Sequence, residues 1–171
     1  MTVELRPYSS ADAAATRGAF VEAIRRTAAA HYMSEQLAAW AGGADDLVAW
    51  NTSRSAAWTV VAVVDGRVVG FSDLTADGVL DMLYVHPDAG GRGVARALIE
   101  TVLDEARERG MRQVRTRASR TARPVFARLG FTLDAENPSN RVRGVVVPNC
   151  DMSIELHGAV RPGPRHGTAT P

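Results

Sequence analysis

The chain has 171 residues, enough for one domain with a sizeable core. Hydrophobic residues make up 46% of it, and 20 basic residues balance 19 acidic ones to a formal net charge of +1. Charge this even argues against nucleic acid or an anionic membrane as a partner. The single cysteine, Cys150, excludes an internal disulfide, no residue spacing suggests a metal, and no apolar run or leader pattern suggests a membrane or an exported protein. The expectation is a cytoplasmic, metal-free domain over residues 1–156, with a flexible tail rich in Gly, Pro and Thr over 157–171.

Residues 3–7 read as a short strand. Ser9 and Asp12 follow at capping-box spacing and open an alanine-rich helical stretch to about residue 30. Further helices are expected over about 34–41 and 45–53, the first ended by Gly42-Gly43. The period then changes from helical to alternating. Residues 58–64 and 67–74 are β-branched runs joined by Asp65-Gly66, a hairpin signal. Asp77-Gly78 turns into a third antiparallel strand over 79–85. After a loop over 86–92, a helix runs from 93 to about 109 with Ala95, Leu98, Ile99, Val102 and Ala106 on one face, and Gly110 closes it.

A strand over 113–118 should lie parallel to 79–85 through a right-handed crossover. A short helix over about 121–129 and two last strands, over about 131–136 and 144–156, complete the chain. The fold class is α+β: a mostly antiparallel mixed sheet with one central parallel βαβ step and flanking helices.

The sharpest local feature is strand LDMLYV running into HPDAGGRGVARALIE. Gly90, Gly91 and Gly93 permit a tight turn that exposes backbone amides at a helix start, where N–H groups lack partners and the dipole is positive. Such a turn can cradle a pyrophosphate, or it can be a connector that binds nothing. A P-loop would need Gly-Lys-Ser/Thr, whereas Val94-Ala95 follows Gly93. A dinucleotide fingerprint would open a parallel sheet, whereas an antiparallel meander comes first.

In these residues the chain resembles the GNAT superfamily of N-acetyltransferases, whose pyrophosphate signature is Gln/Arg-x-x-Gly-x-Gly/Ala. GGRGVA matches it at Gly93 and Ala95, with Gly90 where the family has Gln or Arg. LYVHPDA and RALIE, and later ASRTARPVFARLGF, are similar to that family as well, so the likeness covers about residues 58–131. It implies acetyl-coenzyme A as co-substrate, an amine acceptor from a small molecule or peptide, and a homodimer as an open question.

The resemblance also implies site residues. The amides from Gly90 through Gly91, Arg92, Gly93, Val94, Ala95 and Arg96 would hold the pyrophosphate, with the Arg92 and Arg96 side chains near the phosphates. Arg96 could instead pair with Glu100 four residues on. The pantetheine arm would pair with the backbone of Leu83 and Val85, and the Val85 amide would hold the oxyanion. Ser119 stands where the family has a pantetheine-contacting Asn. Phe126 stands where it has a thiolate-protonating Tyr, so no hydroxyl acid is available there.

The amine must be deprotonated before it attacks, which calls for a base within reach. Asp81, the charged residue of an otherwise apolar strand, is the candidate, and alternation puts it on the face of Val79, Leu83 and Val85 with Tyr84 opposite in the core. The competing role for Asp81 is a hydrogen-bonded structural acid. Cys150 reads as a small buried hydrophobe rather than an acetyl carrier, and His86 as a loop-ordering group. His31, Tyr32, Trp40 and Trp50 fall where the family roofs its acceptor, although aromatics on short helices also build cores. Two other readings stay open: a non-catalytic coenzyme A sensor, favoured by the changes at Gly90 and Phe126, and a nucleotide hydrolase, which lacks its Lys and acids.

Overall fold

A computed structural model describes residues 2–156, so the tail expected over 157–171 lies outside the described residues. Strand β1 (Glu4–Pro7) leads into the helical stretch through the predicted capping box. The Ser9 N–H and hydroxyl donate to Asp12, whose carboxylate also takes both ends of the Arg6 guanidinium at 2.8 Å. Helix α1 (Ala13–Glu22) then widens into a π turn over Ala23–Thr27 and tightens into a 3-10 turn over Ala28–Ala30, so the helical stretch reaches residue 30 as expected, in three forms. Helix α2 (Ser34–Ala41) keeps its predicted bounds, and α3 (Leu47–Ala56) starts on Asp46, whose carboxylate caps the amides of Val48 and Ala49.

Strands β2 (Trp58–Val64) and β3 (Arg67–Leu74) form the predicted hairpin, with Asp65 and Gly66 both at positive φ. The third strand departs from expectation. It is broken into β4 (Val79–Leu80) and β5 (Leu83–Val85), and the halves belong to different sheets. One sheet runs β1-β2-β3-β5 and is antiparallel throughout. The other runs β4-β6-β10-β7, where β6 is Gln113–Ser119, β7 is Thr132–Asn137 and β10 is Asn149–Glu155. The parallel step survives only between β4 and β6, at Val79 with Arg115 and Leu80 with Thr116.

The cause is one extra residue. Thr75 donates to the Val79 carbonyl at 2.9 Å and Ser72 pairs with Leu83, so three steps on β3 face four on the other strand. Asp81 and Met82 together oppose Asp73, which makes a bulge. Beyond it β5 swings away from β6, and a gap opens between the two sheets.

Helix α4 (Val94–Glu108) packs under this gap through Val94, Leu98, Ile99, Val102, Leu103 and Ala106, each at most 4% exposed. Each large side chain there contributes about 1.5–3 kcal/mol. Ala95, predicted on that face, is only half-buried. Short α5 (Arg123–Arg128) follows β6, and Phe126 packs edge-on against Phe131 at 5.0 Å. The last strand expected over 144–156 is instead a two-residue hairpin, β8 (Arg141–Val142) with β9 (Val145–Val146), then β10. Pro148 sits at the interruption, where proline cannot donate to a ladder. No helix among the described residues is long and apolar enough to cross a membrane.

A coenzyme-sized cleft between the splayed sheets

The gap between β5 and β6 continues into a cleft of about 570 Å³ that runs to the start of α4. At that end the chain turns through Gly91 (φ 71°) and Gly93 (φ 78°), left-handed conformations that favour glycine. Gly93 is the N-cap of a 15-residue helix, and no side chain caps it. The first amides of α4 therefore lack intrahelical partners and meet the positive end of the dipole, in a place suited to an anion. Gly90, Gly91, Gly93, Val94, Ala95 and Arg96 all line the cleft.

Along β5 the geometry of hydrogen bonding is set by alternation. His86 N–H donates to Val69 at 2.7 Å and Met82 accepts from Asp73, so the even-numbered residues face β3. The backbone groups of Leu83 and Val85 consequently point to the unpaired edge, where an extended ligand can add like a strand. Both residues line the cleft, as do Ser119 and Phe126. The Ser119 hydroxyl accepts the Ala122 N–H at 3.1 Å and keeps its own proton to donate.

Other candidates fall elsewhere. Arg92 lines a neighbouring hollow of about 360 Å³ with His86 and Asp88, not the main cleft. Arg96 lines the cleft but also pairs with Glu100 at 2.8 Å. His86 orders its loop by accepting the Asp88 N–H at its Nδ1.

The premise for Asp81 is corrected by the bulge. Leu80 and Leu83, three apart, pack in the same cluster beside α4, while Met82 and Tyr84 pack on the α1 side. Asp81 is exposed and lines a separate hollow with Ser53, Arg54, Asp73 and Arg109. It is not among the residues lining the cleft.

The aromatic roof divides. Trp50 is 6% exposed and donates its indole N–H to Thr16, which makes it core. Tyr32 is equally buried. Its hydroxyl donates to the Pro148 carbonyl and accepts the Arg120 amide, both at 2.8 Å, so its one proton is already engaged in pinning the loops around it. His31 is exposed, with Nδ1 3.1 Å from the hydroxyl of Thr121, and only Thr121 of that pair lines the cleft. Trp40 does line it.

Alternation puts Tyr84 opposite Leu83 and Val85, and there it does pack, against Phe20 and Phe71. It lines the cleft, and its hydroxyl accepts the Trp40 indole N–H at 3.2 Å. Burial holds the phenol well above its ordinary pKa, so it stays a neutral O–H. A residue count gives its face but not that the cleft and the Trp40 indole meet it there, which depends on how α2 folds back over β5. The charged side chains among the described lining residues are Arg96, Arg117 and Arg128, and no group of metal-ligating side chains occurs among the described residues.

An uncapped helix N-terminus and an unpaired strand edge that share one cleft with Trp40 and Tyr84 are features suited to a coenzyme A-dependent acyltransferase. The comparisons agree. The profile of the acetyltransferase (GNAT) domain matches residues 20–156. The uncharacterized N-acetyltransferase YafP of Escherichia coli is 32% identical over 129 residues, 75% of this chain and 81% of that one. The crystal structure of a GCN5-related N-acetyltransferase from Rhodopseudomonas palustris superposes with a TM-score of 0.87 at 36% identity, covering 91% of this chain and 97% of the other. The PaiA N-acetyltransferase of Thermoplasma acidophilum, solved with coenzyme A, shares the fold at 17% identity, with a TM-score of 0.76 over 91% and 100% of the two chains. The chain belongs to the GNAT family of acetyl-coenzyme A-dependent N-acetyltransferases.

Proposed function

We propose that this enzyme acetylates an amine of a small molecule or peptide by direct attack on the thioester, with the coenzyme laid along the cleft from α4 to Trp40. The observation that carries this reading is the continuity of one cleft from the uncapped start of α4, past the free edge of β5, to Trp40. The diphosphate rests on the amides around Gly91, Gly93 and Val94, and the pantetheine arm pairs with Leu83 and Val85. The Val85 N–H, pointing to the same edge, is placed to stabilise the oxyanion, and Ser119 donates to the arm from β6.

Acid–base chemistry is thin in this arrangement. Asp81 lies outside the cleft, and Phe126 offers no proton. The amine therefore enters already neutral, and rate comes from holding it against the carbonyl carbon. A coenzyme A thiol near pKa 8.5 leaves as thiolate with little help at neutral pH, and the proton shed by the acylated nitrogen passes to that thiolate or to water.

The test is calorimetric titration with coenzyme A and acetyl-coenzyme A, then an amine panel read by product mass and thiol release. Binding of both with acetylation of at least one amine is the expected result. Failure to bind either overturns the reading. Binding without acetylation of any amine favours a sensor.

A further inference from the structure

Tyr84 ends in a hydroxyl whose oxygen is already engaged as acceptor by Trp40 and whose proton has no acceptor among the described residues. A half-buried O–H without a partner is costly, and accepting one hydrogen bond strengthens the donation of another. The ring packs against Phe20 (4.6 Å) and Phe71 (5.8 Å), on the α1 side of the sheet, whereas Leu83 and Val85 face α4. Because α4 closes the far face, an acceptor reaches the thioester from the side where Tyr84 and Trp40 stand.

Two roles at the reacting centre fit poorly. The acetyl oxygen has backbone donors at the edge of β5. A thiolate whose parent thiol has a pKa of about 8.5 is a weak claimant for the proton of a phenol that burial pushes above about 10. A proton donor on the acceptor's side instead suits an oxygen of the acceptor itself. No carboxylate is among the described lining residues, so a polycationic amine finds no partner there.

We propose that the Tyr84–Trp40 pair selects amines bearing a carbonyl or carboxylate oxygen beside the nitrogen, as in α-amino acids and their amides, with the Tyr84 hydroxyl donating to that oxygen. This rests on the acetyl transfer proposed above. Tyr84→Phe removes the hydroxyl and keeps the ring packing. It is compared with the parent on L-phenylalanine amide and on 2-phenylethylamine, which lacks the carbonyl. The parent-to-variant ratio is taken for each amine separately, so that their different basicities cancel.

The expected result is a roughly tenfold loss of kcat/KM for the amide, less than twofold for phenylethylamine, and an unchanged Kd for acetyl-coenzyme A by calorimetry. Trp40→Phe, which removes the indole donor, should reproduce the selective loss in weaker form. Equal losses for both amines, no loss for either, or a weakened coenzyme Kd in Tyr84→Phe would overturn the assignment. So would acetylation of other panel amines but neither of these two, while acetyl transfer itself stood. Silence toward every amine would remove acetyl transfer as well.

Discussion

The carboxylate of Asp73 accepts the backbone N–H of Met82 at 2.8 Å and, through the same oxygen, that of Asp81 at 3.2 Å. Its other oxygen takes the guanidinium of Arg54, which reaches across from α3. Asp73 is 1% exposed and Arg54 6%, so a buried ion pair is tied to the two residues that form the bulge. Burial pushes the Asp73 carboxyl up, while Arg54 and the two amides oppose that push. The splay that opens the cofactor cleft thus depends on a side chain that lies outside it.

Removing this anchor should cost both stability and cofactor affinity. Asp73→Ala leaves two amides and a buried guanidinium without partners, a loss of about 3–5 kcal/mol. Asp73→Asn keeps an acceptor for the amides but strands the Arg54 charge. Replacing Arg54 by Met in the Asp73→Asn background should restore much of the stability. Denaturant unfolding and acetyl-coenzyme A calorimetry on the three variants check this. A wild-type affinity in Asp73→Ala would show that the bulge stands without its anchor.

The same bulge marks where the sequence stopped being readable. Apolar period and turn residues give α2, β2, β3 and α4 nearly to the residue, because each is decided by local signals: Asp65-Gly66, the i, i+3, i+4 stripe below Val94, and Gly110. The cradle is legible for the same reason, since Gly91 and Gly93 advertise backbone that other residues avoid. An extra residue in a strand has no such local mark. Period-two counting through Asp81 and Met82 therefore put Asp81 on the face of Leu83 and Val85, where Leu80 stands instead, while Tyr84 keeps the opposite face that alternation gives it and lines the cleft from there. Tyr32 and Trp50 look like substrate aromatics in sequence because nothing local announces that Pro148, Arg120 and Thr16 satisfy them.

Gly93→Ala tests the cradle. At φ 78° an added Cβ meets nothing within 4 Å, so the penalty is backbone strain alone, about 1–2 kcal/mol. The chain relieves it by rotating the N-cap, which turns the amides of α4 away from the diphosphate. Affinity for coenzyme A should fall roughly tenfold with only a small drop in Tm. Dephosphorylated pantetheine, which lacks the diphosphate, should bind parent and variant alike. An unchanged coenzyme affinity would place the phosphates elsewhere.

Asp81→Asn tests the mechanism from the opposite direction. The residue is exposed, lies in the hollow beside Arg54, and only its backbone takes part in the bulge. Turnover should stay within about twofold of the parent across pH 6–9. In both proteins kcat/KM should rise with pH until the free amine titrates, and the inflection should follow the pKa of the amine when acceptors of different basicity are compared. An inflection that stays fixed across amines and vanishes in Asp81→Asn would make Asp81 the base after all.

Acid stability should report on Asp12. The Arg6 guanidinium, helped by the N–H and hydroxyl of Ser9, holds its carboxyl at about 2 against an ordinary 3.8. A depressed folded-state pKa means that the unfolded chain takes up the proton first. The contribution is therefore whole above about pH 4 and drains away as the pH falls toward 2. The gap is worth about 2 kcal/mol, applied to a side chain that is nearly buried. Asp12→Asn should lose that amount at pH 7 and show a flatter decline between pH 5 and 2 in denaturant titrations. The parent and the variant should converge at the acid end. Parallel curves over that range would mean that the pairing seen between β1 and the start of α1 carries no net stabilisation in solution.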